Sequence, residues 1–229
     1  MVHETSIDAV PDVRSPTARS TRQLISASDN LDPVRVQAQL DLAATVLGLG
    51  RCIDEIVIPV RRQLRMMVAT GERDHLQELI ATETIRAWLD RCGWSLPAPH
   101  PIGTVLLACG PRDCDMVGPE SLALLLRGHR RPCWVLGARI PTRMLATAAR
   151  AADTSAVVVF AHHRRGRPQA IASLEAVDAL AIPVYYAGEA FDADRGRPDC
   201  PGRYLGTGLQ QAAEMLMAAT SPPNRAGSS

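Results

Sequence analysis

The chain has 229 residues, a length that suits one large domain or two smaller ones. Hydrophobic residues make up 46% of the sequence and charged residues 21%, which excludes an intrinsically disordered chain. The formal net charge of +1 excludes a strong overall attraction to nucleic acid or to a lipid surface. No apolar run approaches the roughly 20 residues that a membrane-spanning helix needs. We therefore expect a globular protein with no membrane segment and no direct nucleic-acid binding.

The six cysteines are scattered along the chain, and none of them belongs to a C-x-x-C pair. The first residues lack the apolar core of a secretory signal. We therefore interpret the cysteines as reduced thiols of a cytoplasmic protein. Residues 1–20 and 220–229 are polar and contain prolines, so we expect both to be disordered tails.

Helical patterning dominates residues 21–93, and four helices are predicted there. The first is short and spans residues 21–28, with apolar side chains on one face. The second begins at Asp32-Pro33, because Asp caps helices well and Pro is favoured in the first turn. It ends before Gly48, since Gly is the usual residue after a helix.

The third predicted helix spans residues 51–69 and contains Pro59, which predicts a kink. Asp74 is positioned to cap the fourth helix. The apolar spacing of this fourth helix predicts an inward face made of Leu76, Leu79, Ile80, Thr84, Ile85 and Leu89. Short links between amphipathic helices predict an antiparallel helical bundle over residues 21–93.

Residues 94–101 contain three prolines and form the predicted linker. Beyond it, short apolar runs at 105–109, 133–136, 156–161 and 182–187 alternate with helical stretches at 119–127, 141–152 and 168–180. This alternation predicts a parallel sheet with helices on both faces. A last strand near 202–205 and a helix over 208–219 complete a predicted α/β domain spanning residues 102–219.

The loop after the first predicted strand is the first candidate site, because ligands of open α/β sheets bind at the carboxyl ends of strands. It carries Asp113, Cys114 and Asp115, followed by Gly118. This D-C-D-M-V-G segment resembles the D-x-H-x-x-G loop of cobalamin-binding domains. In that family the His supplies the lower ligand to cobalt, and Asp115 stands in its place. A carboxylate is a harder ligand than imidazole, so the resemblance supports the fold more directly than the cobalamin cofactor.

The resemblance extends over about residues 24–216 and concerns the two-part cobalamin-binding module of a helical bundle and a flavodoxin-like domain. Methionine synthase, corrinoid methyltransferase proteins and MerR-type regulators contain this module. The run from Ile58 to Leu64 is similar to the family's P-x-L-x-x-I-G helix, and the stretch from Trp134 to Pro141 to its G-W-x-V-x-x-L-G passage. The sequence looks most like the sensory half of actinobacterial MerR-type regulators. The implied fold is a helical bundle followed by a flavodoxin-like, doubly wound parallel sheet.

The resemblance also implies cofactor-binding residues outside the loop. They are Val68, Glu78 and Leu79 in the bundle, and Ala161, His162, His163, Ala187 and Gly188 after the third and fourth strands. The family's Trp above the cobalamin falls at Val68, and its His beside Glu78 falls at Leu79. The family's Gly-Gly, which passes close to the nucleotide tail, falls at Ala187-Gly188. Several positions that contact the corrin in the family therefore differ in this chain.

The loop residues also have interpretations that need no ligand. Asp113 would orient a ligand or a partner's imidazole and Asp115 would face the ligand, or both would cap the loop and the next helix. Cys114 is either a cobalt-binding or redox thiol or a small loop residue. The stretch from His162 to Arg167 would bind phosphate or carboxylate, or supply an imidazole to a metal, or form a solvated basic loop. Gly188 either permits close ligand approach or forms a turn.

The sequence contains no hydrolase, zinc-protease or P-loop motif, so we expect no enzymatic activity. The leading hypothesis is a sensory protein of the cobalamin-binding type that controls transcription indirectly. A corrinoid or other tetrapyrrole would be held between bundle and strand ends, and a regulatory protein partner and homo-oligomers are expected. The alternative is a cofactor-independent regulator that acts by protein–protein contact. A corrinoid carrier for a methyltransferase is the third hypothesis.

Overall fold

The computed structural model describes residues 16–192 and 199–219. The chain forms two compact units, Met1–Thr84 and Ile85–Ser229, and the division between them lies inside one helix. The predicted tails at residues 1–15 and 220–229 lie outside the described residues.

In the described part of the first unit, from Pro16 onwards, all regular secondary structure is helical. Its elements are α1 (Pro16–Asp29), α2 (Pro33–Leu47), α3 (Leu49–Cys52), a π-helical turn (Ile53–Val57), α4 (Ile58–Ala69) and the beginning of α5 (His75–Gly93). The Asp32 carboxylate accepts a hydrogen bond of 2.9 Å from the backbone N–H of Arg35, which confirms the predicted cap of α2. Gly48 follows α2 with a φ of 81°, a backbone conformation that favours glycine, and this confirms the predicted end.

The start of α1 corrects the predicted N-terminal tail. Residues 16–20 are helical, because α1 begins at Pro16 and not at residue 21. The longer helix buries Leu24 and Ala27 on one face. The hydroxyl of Thr17 also lies 3.1 Å from the Glu55 carboxylate, to which it donates a hydrogen bond. This contact with a distant residue favours helix in a segment whose own composition is that of a tail.

Pro59 changes the third predicted helix more than a simple kink would. The stretch is divided into α3, the π-helical turn Ile53–Val57 and α4. The N–H of Ile58 donates to the carbonyl of Ile53, five residues earlier. Pro59 has no N–H to continue the regular pattern, so one wide turn before it keeps the helix continuous.

The inward face of α5 differs from the predicted one. The carboxylate of Asp74 accepts from the N–H groups of Leu76 at 2.8 Å and Gln77 at 3.1 Å, so the predicted cap is confirmed. The side chains of Leu76 and Leu79 are 52% and 55% exposed, so their inward placement was wrong. The residues that α5 buries are Ala81, Thr84, Ile85, Trp88 and Leu89. Because that face begins only at Ala81, the apolar side chains of Leu76 and Leu79 before it stay in solvent.

The second unit contains a five-stranded sheet in which every pairing is parallel. The strands are β1 (Thr104–Cys109), β2 (Cys133–Gly137), β3 (Thr154–Phe160), β4 (Val184–Ala187) and β5 (Arg203–Tyr204). The helices are α6 (Val117–Gly128), α7 (Thr142–Ala151), α8 (Arg167–Asp178) and α9 (Leu209–Ala219). The spatial order β2-β1-β3-β4-β5 is that of flavodoxin-like folds, which confirms the predicted fold class.

Side chains alternate between the two faces of the sheet along each strand, and helices cover both faces. Leu106, Val157 and Val159 belong to a core that includes residues of α7 and α8. Helices α6 and α9 pack against each other, and α6 also contacts β1 and β2. The residues of β1, β3 and β4 are buried almost throughout, which matches their continuous apolar runs. In β2 only Cys133 is buried, and β5 is partly exposed.

The predicted linker at residues 94–101 forms neither helix nor strand. It is held to the second unit by two hydrogen bonds involving Arg130. The N–H of His100 donates to the Arg130 carbonyl at 2.8 Å, and the Arg130 guanidinium donates to the Ala98 carbonyl at 3.0 Å. In the part of the chain that the structure describes, no helix combines the length and apolar composition of a membrane span.

Candidate functional site

Asp113 is the centre of the loop that joins β1 to α6. Its side chain is 2% exposed, and one oxygen accepts a hydrogen bond of 2.9 Å from the N–H of Asp115. The other oxygen accepts from the backbone N–H of His162, at the end of β3. The imidazole Nδ1 of His162 lies 3.2 Å from the same oxygen. Asp113 therefore ties the loop after β1 to the residues that follow β3.

The charge of Asp113 is stabilised by these contacts. Burial by itself raises the pKa of a carboxyl group, but the hydrogen bonds and charge of His162 and the N–H of Asp115 outweigh it. The pKa of Asp113 is lowered from 3.8 to about 2. Because an ionised carboxylate can only accept hydrogen bonds, Nδ1 of His162 must carry the proton of the hydrogen bond between them. The pair is a fixed carboxylate–imidazole unit at the carboxyl ends of β1 and β3.

Asp115 is buried and serves the start of α6. Its carboxylate accepts a hydrogen bond of 3.2 Å from the N–H of Val117. Its backbone carbonyl lies 3.2 Å from the thiol of Cys109, which donates to it. Burial raises the pKa of that thiol, with Asp113 and Asp115 acting in the same direction, so Cys109 remains protonated. These contacts match the capping interpretation of Asp115.

Gly118 lies in the first turn of α6, against two rings. A Cβ on Gly118 would lie 3.2 Å from the ring of Phe160 and 3.4 Å from Nε2 of His162. The rings of Phe160 and His162 stack with centroids 6.2 Å apart. The His162 side chain is only 9% exposed, and its Nε2 faces α6. The glycine is therefore explained by close packing within the chain.

Ala161, Ala187 and Gly188 join the ends of β3 and β4. The N–H of Ala161 donates to the Ala187 carbonyl at 3.0 Å, and the Ala161 carbonyl accepts from Ala190 at 3.0 Å. Gly188 has a φ of 101°, and a Cβ there would overlap the Ala161 carbonyl oxygen. This close approach of two backbones requires glycine whether or not a ligand is bound.

The same edge of the sheet also carries an exposed thiol and several exposed basic side chains. Cys114 is an exposed free thiol. Next to it, a cleft of about 490 Å³ is lined by Arg112, His163, Arg164, Arg165 and Gly166. The sequence predicted the basic stretch after β3 but not Arg112. The position of Arg112 next to Asp113, on a loop at the same edge of the sheet, could have indicated that it belongs to this cleft.

The three predicted residues of the first unit lie on α4 and α5. Val68 is half-buried, and Leu79 is exposed. Glu78 is held by Arg61, whose guanidinium nitrogen lies 2.6 Å from a carboxylate oxygen. Arg61 is itself 7% exposed, so Glu78 neutralises a buried charge. This pairing across the bundle was not foreseen from the sequence.

The residues of the loop do not fit a cobalt ion coordinated by a protein imidazole. Asp115, at the position of the family's His, directs an oxygen to the backbone of α6. His162 bonds Asp113 through Nδ1 and faces α6 through Nε2. Within residues 16–192 and 199–219, no group of three or more His, Cys, Asp or Glu is arranged to hold a metal. Asp115 and His162 are therefore both engaged by contacts within the chain.

No family model matches the sequence. No curated protein matches it either. Solved structures do resemble the fold. The monomethylamine corrinoid protein of Methanosarcina barkeri aligns with a TM-score of 0.67 at 10% identity, covering 88% of this chain and 99% of that protein. At 10% identity this likeness shows a shared fold and nothing about function, because one fold can carry many functions.

Two further structures align less well. The methanol:cobalamin methyltransferase complex MtaBC from Methanosarcina barkeri gives a TM-score of 0.41 at 14% identity, covering 94% of this chain and 85% of that one. A cobalamin-binding protein from Desulfitobacterium hafniense gives 0.45 at 13% identity, covering 93% and 100%. At these TM-scores neither likeness carries weight.

Proposed function

We propose that the chain is a non-catalytic regulatory protein that binds a corrinoid or related tetrapyrrole without coordinating its metal. The observation that supports this is the fold shared with a corrinoid protein over 88% of the chain. The loop from Asp113 to Gly118 lies at the carboxyl ends of the strands, where this sheet type binds ligands. Binding would change the packing or partners of the chain, and control of transcription would follow indirectly.

The internal bonding of the loop favours a second candidate, a regulator that acts by protein contact without any cofactor. Asp113 and Asp115 both have hydrogen-bond partners within the chain, and Gly118 and Gly188 are explained by packing. Such a loop is complete without a ligand. A carrier of methyl groups is supported least, because it needs a firmly held metal and Asp115 replaces the imidazole.

The proposal predicts that the purified full chain retains cobalamin. After dark incubation with hydroxo-, methyl- or adenosylcobalamin and desalting, we expect stoichiometric absorbance with the spectrum of a cofactor that keeps its own base on cobalt. A bulky Cys114→Trp change on the exposed loop should abolish retention by blocking the site. Ala151→Trp, at the exposed end of α7, is the matched control and should retain cobalamin.

The outcomes separate the two candidates. A colourless wild-type protein after desalting would reject corrinoid binding and favour the regulator that acts by protein contact. Equal retention by wild type and Cys114→Trp would show that the pigment is held elsewhere than at the loop.

Asp115→His tests whether the loop retains the geometry of a cobalt ligand. We expect its spectrum with hydroxocobalamin to shift away from that of wild type, because an imidazole is returned to the loop. The lost cap on Val117 should also lower the free energy of unfolding by about 1 kcal/mol. Asp115→Asn keeps a capping oxygen but adds no imidazole, and its spectrum should match wild type. Identical spectra for all three proteins would contradict the assumed loop geometry.

A further inference from the structure

The basic cleft beside the loop is a second feature of the carboxyl-end edge. Arg112, Arg164 and Arg165 line it together with His163 and Gly166. All three arginines are exposed. The sequence has no lysine, so its 25 basic residues are all arginine. Guanidinium groups present paired N–H donors that match the oxygens of phosphate, so the cleft concentrates groups suited to that anion.

Few acidic groups oppose this charge. Among the described residues, Arg112 and Arg165 form no ion pair or side-chain hydrogen bond. Asp113, the nearest acidic residue along the chain, is buried and occupied by His162. The turn Arg164–Gly166 packs against the turn Glu189–Phe191, so Glu189 is the acidic group on a neighbouring element. Within residues 16–192 and 199–219, this leaves one carboxylate on the neighbouring turn beside three arginines, a positive local balance of charge.

The start of α8 adds to the cleft. Gly166 precedes this 12-residue helix, in which the N–H of Arg167 donates to the Arg164 carbonyl and Pro168 has no N–H. A Cβ on Gly166 would lie 3.4 Å from Cβ of Arg112. That is an ordinary van der Waals distance, so the loop with Arg112 lies directly beside the helix start. The positive end of the helix dipole and the arginines act on the same space.

We infer that this cleft binds the dianionic phosphate monoester of a small metabolite. Its volume of about 490 Å³ lies within the usual range for small-molecule sites and exceeds what a bare phosphate fills. The arginines would bind the phosphate oxygens, and the rest of the volume would take the ester body. This inference does not depend on corrinoid binding, so it can fail or hold separately from the proposed function.

Calorimetric titration of the corrinoid-free full chain with three adenosine compounds tests the inference. The buffer is held at pH 8 without phosphate, so that AMP carries two charges on its monoester. We expect AMP to bind, cyclic AMP to bind about tenfold more weakly with its single charge, and adenosine not to bind. The inference would be overturned if AMP gave no heat of binding, or if adenosine bound as tightly as AMP.

Two arginine variants locate the binding. Arg165→Gln and Arg112→Gln should each weaken AMP binding by about tenfold, because each loses charge-assisted hydrogen bonds to phosphate. Arg165 is exposed on a short turn, so its variant should fold even if a change at Arg112 disturbs the loop. Arg150→Gln removes an exposed arginine at the far end of α7 and should bind AMP as wild type does. Unchanged affinity in Arg165→Gln would rule out this cleft.

Discussion

Asp113→Ala should lower the free energy of unfolding by about 3–5 kcal/mol, because several buried donors lose their acceptor together. The carboxylate accepts from the N–H groups of Asp115 and His162 and contacts the imidazole of His162. At a position 2% exposed, water cannot replace it without opening the loop. Urea unfolding at pH 7, followed by circular dichroism, measures the loss.

Asp113→Asn and Asp153→Ala are the controls for this prediction. The amide keeps the volume and one accepting oxygen, so we expect a smaller loss of about 1–2 kcal/mol. Asp153 is exposed, and its removal should change stability by no more than about 0.5 kcal/mol. If Asp113→Ala were as stable as Asp153→Ala, the carboxylate would not be holding the two strand ends together.

The pH dependence follows from the lowered pKa of Asp113. Its folded-state pKa of about 2 lies below the ordinary value of 3.8, so ionisation favours the folded state. The stabilisation, about 2 kcal/mol, is complete above the ordinary value and is lost as pH falls towards 2. The stability difference between wild type and Asp113→Asn should therefore shrink on acidification from pH 5 to pH 2. A difference that stays constant over that interval would contradict the pairing with His162.

Gly188→Ala should cost at least about 3 kcal/mol of unfolding free energy. The residue has a φ of 101°, which L side chains rarely adopt, and its added Cβ would overlap the carbonyl oxygen of Ala161. That carbonyl is buried and already accepts from Ala190, so it has little freedom to move. Thermal and urea unfolding of the variant give the measurement.

Gly128→Ala is the matched control for Gly188→Ala. Gly128 ends α6, and an added Cβ there meets no atom within 4 Å. Alanine should leave stability unchanged or raise it by up to about 1 kcal/mol, because it restricts the unfolded chain. A Gly188→Ala protein with wild-type stability would show that the strand ends can separate. Close ligand approach would then again be needed to explain this glycine.

The residues of the candidate loop could be needed for the fold, for a ligand, or for both. The positions that resemble a cobalamin-binding loop have roles inside this chain. Asp113 joins two strand ends, Asp115 accepts from the first N–H of α6, and Gly118 permits close packing. Loss of stability on mutation would show that the fold needs these residues even when no cofactor is bound. Retention of cobalamin after desalting would show that the same loop also serves a ligand.

Features that depend on near neighbours in the chain could be predicted from the sequence alone. The cap at Asp32, the cap at Asp74 and the end of α2 at Gly48 follow from interactions within one helical turn. The alternation of apolar runs and helices was enough to predict the parallel sheet, because buried parallel strands are apolar on both faces. The same local signals placed the candidate loop at the end of β1.

Contacts between distant residues depend on how the helices and strands pack, and the sequence did not predict them. Asp113 and His162 are 49 positions apart, and they come together because β1 and β3 are neighbours in the sheet. The exposure of Leu79 and the extension of α1 to Pro16 likewise depend on which helix faces are covered. Local pattern acts over a few residues, whereas burial and pairing are set by packing between elements. The loop's residue types were therefore visible in the sequence, and their partners were not.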